Sequence, residues 1–563
     1  MKTDKNIILF GAGEIGRQAL AYYGHARVLC FVDNDERKAG TYIDETPIIS
    51  FSQLKEWYKS QPIILSMDVG NSLVVSAQLE EAGIHNFKLF LDAAQLEEPV
   101  MIPTVQNAEA LQTAWEGKRV LMIAYQFPPL SGSGVFRSIK FAKYLPEFHW
   151  QPTVISTDRP RLGWNYSDEE LLREIPSNVS VIRIPDRVGT LRGSLSGSLE
   201  DKLLSFLGNI LRHSERAHNI FSSFLQTKEG RAKLMTFPCG ALAWVYDVVT
   251  YIENNLDIHQ FQSVYTTSAP YSAHLAGLYL KKTYGIPWIA DYRDPWTASP
   301  FKEFDYKKPE DQLFFDLEDI LLHAANRSIA VGEHDMQDYI ERFHIPSSNL
   351  ATITNGYDEE DFSALGELRE RPDKFTIYYN GILHTTPAIH VFSACLKAVQ
   401  ELIEKGNLDV NQVRLHMVGD TQAASKTLEN RLLNSILVHS GYLSHEQALQ
   451  ASQNANLLLL PIGDSPLEKF IYSGKIFDYL RSGVPILAIA PEDSVVDQVL
   501  RETRHGQTFR STQTAEIQAF IMQEYHRWQS GEKREALHSP LIHKYERKLL
   551  TKQLASILDQ VSQ

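Results

Sequence analysis

Ser473-Gly-Lys-Ile-Phe-Asp-Tyr-Leu-Arg-Ser-Gly-Val-Pro-Ile-Leu487 reads as the start of a helix that runs straight into a buried strand, Val484 to Ile489. Ser473 and Gly474 stand near the cap, with a cation at Lys475 and a carboxylate at Asp478. A distant stretch has the complementary grammar. Tyr125-Gln-Phe-Pro-Pro-Leu-Ser-Gly-Ser-Gly-Val-Phe-Arg137 follows the apolar run Val120-Leu-Met-Ile-Ala124 and opens a helical segment. Strand, Gly-rich turn and helix in that order bring backbone N–H groups close to an anion or a sugar.

The chain around these stretches has 563 residues, too many for one core, so two to four domains are expected. Hydrophobic content of 43% and charged content of 22% are ordinary globular usage. A formal net charge of -14 argues against general nucleic-acid binding, which needs a basic face. Cys30, Cys239 and Cys395 are scattered without CxxC spacing, which fits a reducing compartment and no zinc site. Met1 to Lys5 leads directly into a strand pattern without a signal-peptide core, and no apolar run approaches the roughly 20 residues of a membrane span. The expectation is a soluble cytoplasmic protein, with a membrane-surface contact left open.

Strand and helix patterns alternate throughout, which predicts an α/β protein with parallel sheets. Residues 1–97 read as a first small unit, with strands at Asn6–Phe10, Arg27–Val32, Ile63–Ser66 and Phe87–Phe90. Residues 98–117 read as a linker. A second unit spans 118–371 and a third 372–540, and a terminal helix lies in 541–563. Between Arg187 and Lys233, eight Lys/Arg against four Asp/Glu give a net +4, and Leu203, Leu204, Leu207, Ile210 and Leu211 recur at helical spacing. Two readings stand for that stripe: a helix packed on its own domain, or a peripheral membrane contact.

In the first unit, Gly11-Ala-Gly-Glu-Ile-Gly16 follows a strand and opens a helix, and Asp33 ends the next strand. Gly11, Gly13, Gly16 and Asp33 form a dinucleotide-type fingerprint, with the acid placed for a ribose. The stretch Phe31-Val-Asp-Asn-Asp-Glu-Arg-Lys-Ala-Gly40 resembles the N-terminal domains of bacterial sugar acetyltransferases and sugar-nucleotide dehydratases. That resemblance implies an accessory unit holding a nucleotide or NAD, or an empty cleft. No Tyr-x-x-x-Lys pair for hydride chemistry is present in it.

The two opening stretches together resemble the half-sites of a GT-B glycosyltransferase, closest to the retaining, GT4-like family that uses nucleotide-sugar donors. The fold implied is three Rossmann-like units: the accessory domain, then a two-lobed GT-B pair whose terminal helix crosses back to the first lobe. In the first lobe the resemblance places Gly132, Ser133, Gly134 and Arg137 at the cleft, with His274 from Thr266-Thr-Ser-Ala-Pro-Tyr-Ser-Ala-His274. Asp291-Tyr-Arg-Asp-Pro-Trp296 looks like a signature of a bacterial surface-polysaccharide subset. There Asp291, Arg293 and Asp294 either orient acceptor hydroxyls or brace their own loop. Asn355-Gly-Tyr-Asp358 reads as the hinge before the crossover.

In the second lobe the implied donor residues are Gly381, Tyr442, Ser473, Gly474, Lys475 and Asp478. Lys475 and a helix N-terminus would stabilise a departing diphosphate, and Asp478 would grip ribose hydroxyls. Two departures stand out. The first acid of the family's paired-acid pattern falls at Phe470, with Glu468 as a substitute. The loop after the first strand of this lobe carries no cation but His384. The implied reaction moves a sugar from a nucleotide-sugar to a hydroxyl of a glycan or lipid-linked acceptor, with retention and no required metal or cofactor. A nucleotide-sugar epimerase, or a non-catalytic sugar-nucleotide-binding scaffold, is the alternative.

Overall fold

The structure is a computed structural model that describes residues 7–563 except 59–60, 68, 85, 90–103, 158–167, 187–196, 300–301, 303, 366–371, 382, 384–385, 420–430, 532–536 and 538. Three sheets carry it. The first has six strands in the order Tyr42–Ile43, Thr46–Ser50, Val28–Asp33, Ile7–Phe10, Ile63–Leu65, Phe87–Leu89. The second has eight: Leu350–Thr352, Arg327–Ala330, Trp288–Tyr292, Ser263–Thr267, Lys118–Ala124, Trp150–Thr157, Ser180–Ile184, Thr104–Gln106. The third has six: Leu437–His439, Val413–Val418, Phe375–Asn380, Leu457–Pro461, Ile486–Ile489, Gly506–Phe509. All pairings in the third sheet are parallel. In the other two, only Tyr42–Ile43 and Thr104–Gln106 run antiparallel, each at an edge.

The unbroken apolar strands have a direct cause. In Lys118–Ala124, Leu121 and Ile123 point into one core and Val120, Met122 and Ala124 into another. Ile7 and Leu9 separate from Ile8 and Phe10 in the same way, as do Ile377 and Tyr379 from Tyr378. A sheet covered by helices on both faces buries every residue of its central strands, so hydrophobicity does not alternate.

Part of the stretch read as a linker belongs to the second sheet. Thr104–Gln106 pairs with Ser180–Ile184, and Asn107 Nδ2 donates to the carbonyls of Pro176 and Val179 at 3.1 and 2.9 Å. The segment 187–196 lies outside the described residues. Beyond it, the helix Gly197–Leu211 buries its whole leucine stripe in the second unit's core, with Leu203, Leu207 and Leu211 at 0% exposure. That stripe is therefore unavailable to a membrane, and the membrane reading of it is corrected. The helix Lys228–Thr236 of the same segment packs on the helix Val69–Glu81 of the first unit. Glu229 N–H donates to Glu81 Oε1 at 3.0 Å across that junction.

The helix Arg547–Val561 does return to the first lobe. Leu550, Leu554, Ala555, Ile557 and Leu558 join the core beneath the helix Ser133–Tyr144, and Lys118 Nζ pairs with Asp559 at 2.8 Å. No helix among the described residues is long and apolar enough to cross a membrane.

Candidate functional site

The carboxyl ends of the second and third sheets face each other across a cleft, the place where open parallel sheets collect ligands. Contacts between described residues span it. Tyr442 O–H donates to Ser131 Oγ at 2.6 Å, and His445 N–H donates to Asp168 Oδ2 at 3.3 Å. The rings of Phe136 and His445 lie 4.3 Å apart, and His334 stacks on Phe470.

On the third-sheet side, Gly381 ends Phe375–Asn380 with φ +151. A Cβ there would collide with Cε and Nζ of Lys475, so glycine is what lets the lysine cross the loop. Gly474 caps the helix Lys475–Ser482 without a side-chain hydrogen bond, and Ile476 N–H donates to Ser473 O at 3.1 Å. Lys475 Nζ lies 5.7 Å from the centre of the Tyr379 ring. It has no ion pair among the described residues, and burial pushes it down to about 8. Asp478 likewise has no hydrogen bond or ion pair among the described residues, and burial pushes it up to about 6 despite the opposing pull of His445. Both side chains are half-buried. Unpaired ionisable groups shifted toward neutrality in a cleft are what a charged ligand would complete. The Tyr442 hydroxyl is engaged with the opposite lobe.

On the second-sheet side the expected residues divide. Gly132, with φ +135, caps the helix Ser133–Tyr144 and faces open space. A Cβ on Gly134 would run into the Arg293 guanidinium, so the Gly-rich turn and the Asp291–Trp296 loop interlock there. Arg293 Nη2 donates to Gln126 Oε1 at 2.9 Å, while its Nε has no hydrogen-bond partner among the described residues. The Asp294 side chain is 64% exposed and 3.7 Å from Arg293 Nε. Its crowded surroundings raise its pKa, but with water reaching it we read it as a carboxylate at neutral pH. The Ser133 backbone starts the helix.

Arg137 and Asp291 are corrected from cleft residues to a buried brace, both at 0% exposure. Arg137 Nε and Nη2 fork onto Asp291 at 2.8 and 2.7 Å, and Nη1 donates to Thr354 O at 2.9 Å. Tyr265 O–H and Thr267 O–H also donate to Asp291, at 2.5 and 3.0 Å. Burial alone would lift the Asp291 pKa and lower that of Arg137. Their mutual attraction outweighs it in both. Asp291 is thus braced by a residue 154 positions away rather than by its own loop.

His274 is corrected too. It is 0% exposed, its Nδ1 lies 2.7 Å from Thr266 Oγ1, and burial pushes it down to about 3, so it is a neutral core residue. Its Nε2, with the buried hydroxyls of Tyr292 and Tyr339 and Glu318 Oε1, lacks a hydrogen-bond partner among the described residues.

The hinge is clamped to the first lobe. Lys140 sits among Glu174, Asp358 and Asp361, the last two at 2.7 Å, and Tyr144 O–H donates to Asp358 at 2.6 Å. These three carboxylates are near enough to share a cation, and the Lys140 ammonium is the cation they share. His445 Nε2 reaches Asp361 at 3.2 Å. Burial would lower His445, but Asp361 overrides this and raises it. Sequence reasoning assigned a role to neither His445 nor Arg547.

Glu468 is engaged by its own loop. Its Oε2 accepts from Ser465 N–H at 2.7 Å in a capping box, and a Cβ on Gly463 would strike its carboxylate. His384, the only cation expected in the loop after Gly381, lies outside the described residues.

In the first unit, Gly16 and Gly11 are packed against backbone, whereas Gly13 faces open space at an uncapped helix start. Asp33 Oδ2 accepts from Ala12 N–H at 3.0 Å and from Lys38 Nζ at 2.9 Å, and Oδ1 accepts from Asp35 N–H at 2.9 Å. Burial would raise the Asp33 pKa, and these bonds overcome it and hold it low. The turn fits a phosphate at the helix start.

Residues 229–361 match the family model Glycosyltransferase Family 4. The redox-sensing transcriptional repressor Rex of Leuconostoc citreum strain KM20 is 31% identical over 116 residues, 19% of this chain. The match spans 54% of that protein, about half its length. Anabaena Alr3699/HepE, solved with UDP and glucose, is 14% identical and matches over 79% of this chain and 100% of its own, at a TM-score of 0.48. The sucrose-phosphate synthase of Thermosynechococcus elongatus is 12% identical, matches over 79% of this chain and 98% of its own, and has a TM-score of 0.50. That likeness, with the facing parallel sheets and the returning terminal helix, shows the two-lobed GT-B fold.

Proposed function

We propose that this protein is a glycosyltransferase. It transfers a sugar from a nucleotide-sugar to a hydroxyl of a glycan or lipid-linked acceptor, in surface-polysaccharide or glycoconjugate assembly. One observation carries the reading: Lys475 and Asp478 stand unpaired in the cleft beside Gly381 and an uncapped helix N-terminus. As the glycosidic bond breaks, negative charge gathers on the diphosphate. The Lys475 ammonium and the helix amides then stabilise it more than they stabilise the bound donor. Asp478 accepts from the ribose hydroxyls. The acceptor hydroxyl enters past Gly132–Gly134, Arg293 and Asp294, and the anomeric configuration is retained. The test is turnover of the full chain with a panel of nucleotide-sugars, with the product's anomeric proton read by NMR. Cleavage of no donor in the panel would sink the reading.

A second reading has its own observation. The ring of Phe470, where a paired acid is expected, stacks on His334 of the opposite lobe. A scaffold that binds sugar-nucleotide without turnover fits that arrangement. Tight binding without cleavage in the same panel would select it.

We further infer that the first unit holds a nucleotide at Gly11–Gly16 and tunes or places the transferase without taking part in its chemistry. Asp33→Ala should abolish nucleotide binding by that unit and leave transfer intact. Loss of transfer in a folded Asp33→Ala protein would contradict this division of labour.

A further inference from the structure

Arg547 opens the returning helix, and neither wall of the cleft as described so far uses it. Its N–H donates to Tyr357 O at 2.8 Å, which fixes its backbone at the hinge. The residue is 5% exposed, and its guanidinium makes no hydrogen bond or ion pair among the described residues, with Nη1 sealed from solvent. A buried guanidinium ordinarily forks onto a carboxylate, as Arg137 does on Asp291.

The helix Lys475–Ser482 packs on the segment Pro540–Tyr545 just ahead of Arg547, where the rings of Phe477 and Tyr545 lie 5.0 Å apart. Burial, then repulsion from Arg137, pulls Arg547 down to about 10 against the attraction of Asp478, Asp358 and Asp361. Asp358 and Asp361 are committed to Lys140, Tyr144 and His445. Asp478, which in turn feels Arg547, remains unpaired. An unpaired buried cation and an unpaired carboxylate on packed segments, at the junction of two lobes, make a site short of a ligand that satisfies both. A nucleoside diphosphate does so, with anionic oxygens for the fork and ribose hydroxyls for Asp478. It also needs more than one cation, and residues 381–387 contain no lysine or arginine.

We propose that Arg547 is a binding residue of the donor site, its guanidinium closing on a phosphate of the nucleoside diphosphate whose ribose Asp478 holds. The assignment rests on the donor-site reading of Lys475 and Asp478. It gives the terminal helix a part in ligand binding as well as in covering the first lobe.

The experiment titrates the full chain with UDP, GDP, ADP and inorganic pyrophosphate, for the parent, Arg547→Met and Arg547→Lys, with a melting curve for each. Arg547→Met is expected to weaken the preferred nucleoside diphosphate by about 100-fold without lowering Tm, since it removes an unpaired buried charge. Arg547→Lys is expected to recover part of the affinity. A structural arginine would do the reverse, lowering Tm while affinity stays at the parent value, and that result would overturn the proposal. Should Arg547→Met fail to fold, Arg547→Gln takes its place, because parent-like affinity in a folded Arg547→Gln would overturn the proposal equally. The underlying reading fails separately, if the parent binds none of the three nucleoside diphosphates. Pyrophosphate binding that Arg547→Met abolishes would then still support the anion site, and binding that survives would remove it.

Discussion

The two lobes each present a cation and a carboxylate near the cleft, and the two pairs behave oppositely. In the first lobe Arg137 and Asp291 are wholly buried, and the Asp291 carboxylate accepts from Arg137 twice, from Tyr265 and from Thr267. In the second lobe Lys475 and Asp478 sit one helical turn apart with no partner among the described residues, each pushed toward its neutral form. Residue type alone does not separate the cases. The difference lies in whether the surrounding chain already supplies every hydrogen bond. A charge answered from within holds the fold, whereas an unanswered one costs stability until something binds.

The largest expected effect breaks the first pair. Arg137→Met leaves Asp291 buried without its main partner and should cost about 3–5 kcal/mol. The measurement is a lower urea midpoint at an unchanged m value. A midpoint equal to the parent's would remove the brace from the argument.

Next comes Lys475→Met, expected to weaken nucleoside-diphosphate binding by about 100-fold while leaving Tm at or above the parent's at pH 7. The sign follows from the lowered pKa. The folded chain gives up this proton near 8 and the unfolded chain near 10.5, so the folded state carries the cost below 8. Any gain in Tm should therefore shrink as pH rises from 8 toward 10.5. Parent donor affinity should be greatest between about 6, where Asp478 ionises, and about 8, where Lys475 loses its proton. Asp478→Asn should erase the acid limb. A flat profile in the parent would show that these groups do not meet the donor.

The smallest effect sharpens the contrast within one loop. Asp294→Asn should leave stability within about 0.5 kcal/mol of the parent, because water reaches the side chain. Its transfer rate should fall more than its donor affinity. Equal losses in rate and affinity would return Asp294 to the donor side.

Much of the fold was legible because covered parallel strands leave continuous apolar runs. The two Gly-rich starts and the helix at Lys475 stand where the spacing placed them. What escaped depends on pairing over long distances. Asp291 carries no local sign that its partner is Arg137, and His274 looks the same in sequence whether it faces a cleft or a core. Thr104–Gln106 is three residues long, too short to show a period, and becomes a strand only because Ser180–Ile184 offers an edge. The stripe at Leu203–Leu211 was legible as a helix face, but what covers it was not. Arg547 sits in an ordinary helical stretch and gains significance only where the helix crosses to the other lobe.

The bond between Lys118 and Asp559 joins residues 441 positions apart. On a ribosome adding about 5–20 residues per second, the first lobe waits on the order of a minute for the segment that completes it. During that interval the face later sealed by Leu550, Leu554 and Leu558 stands open to other nascent chains and to chaperones. Closing the first lobe therefore waits until residues 550–558 have been made, and the same segment carries Arg547 into place. A chain stopped before it would lack both the cover of one lobe and the guanidinium at the junction.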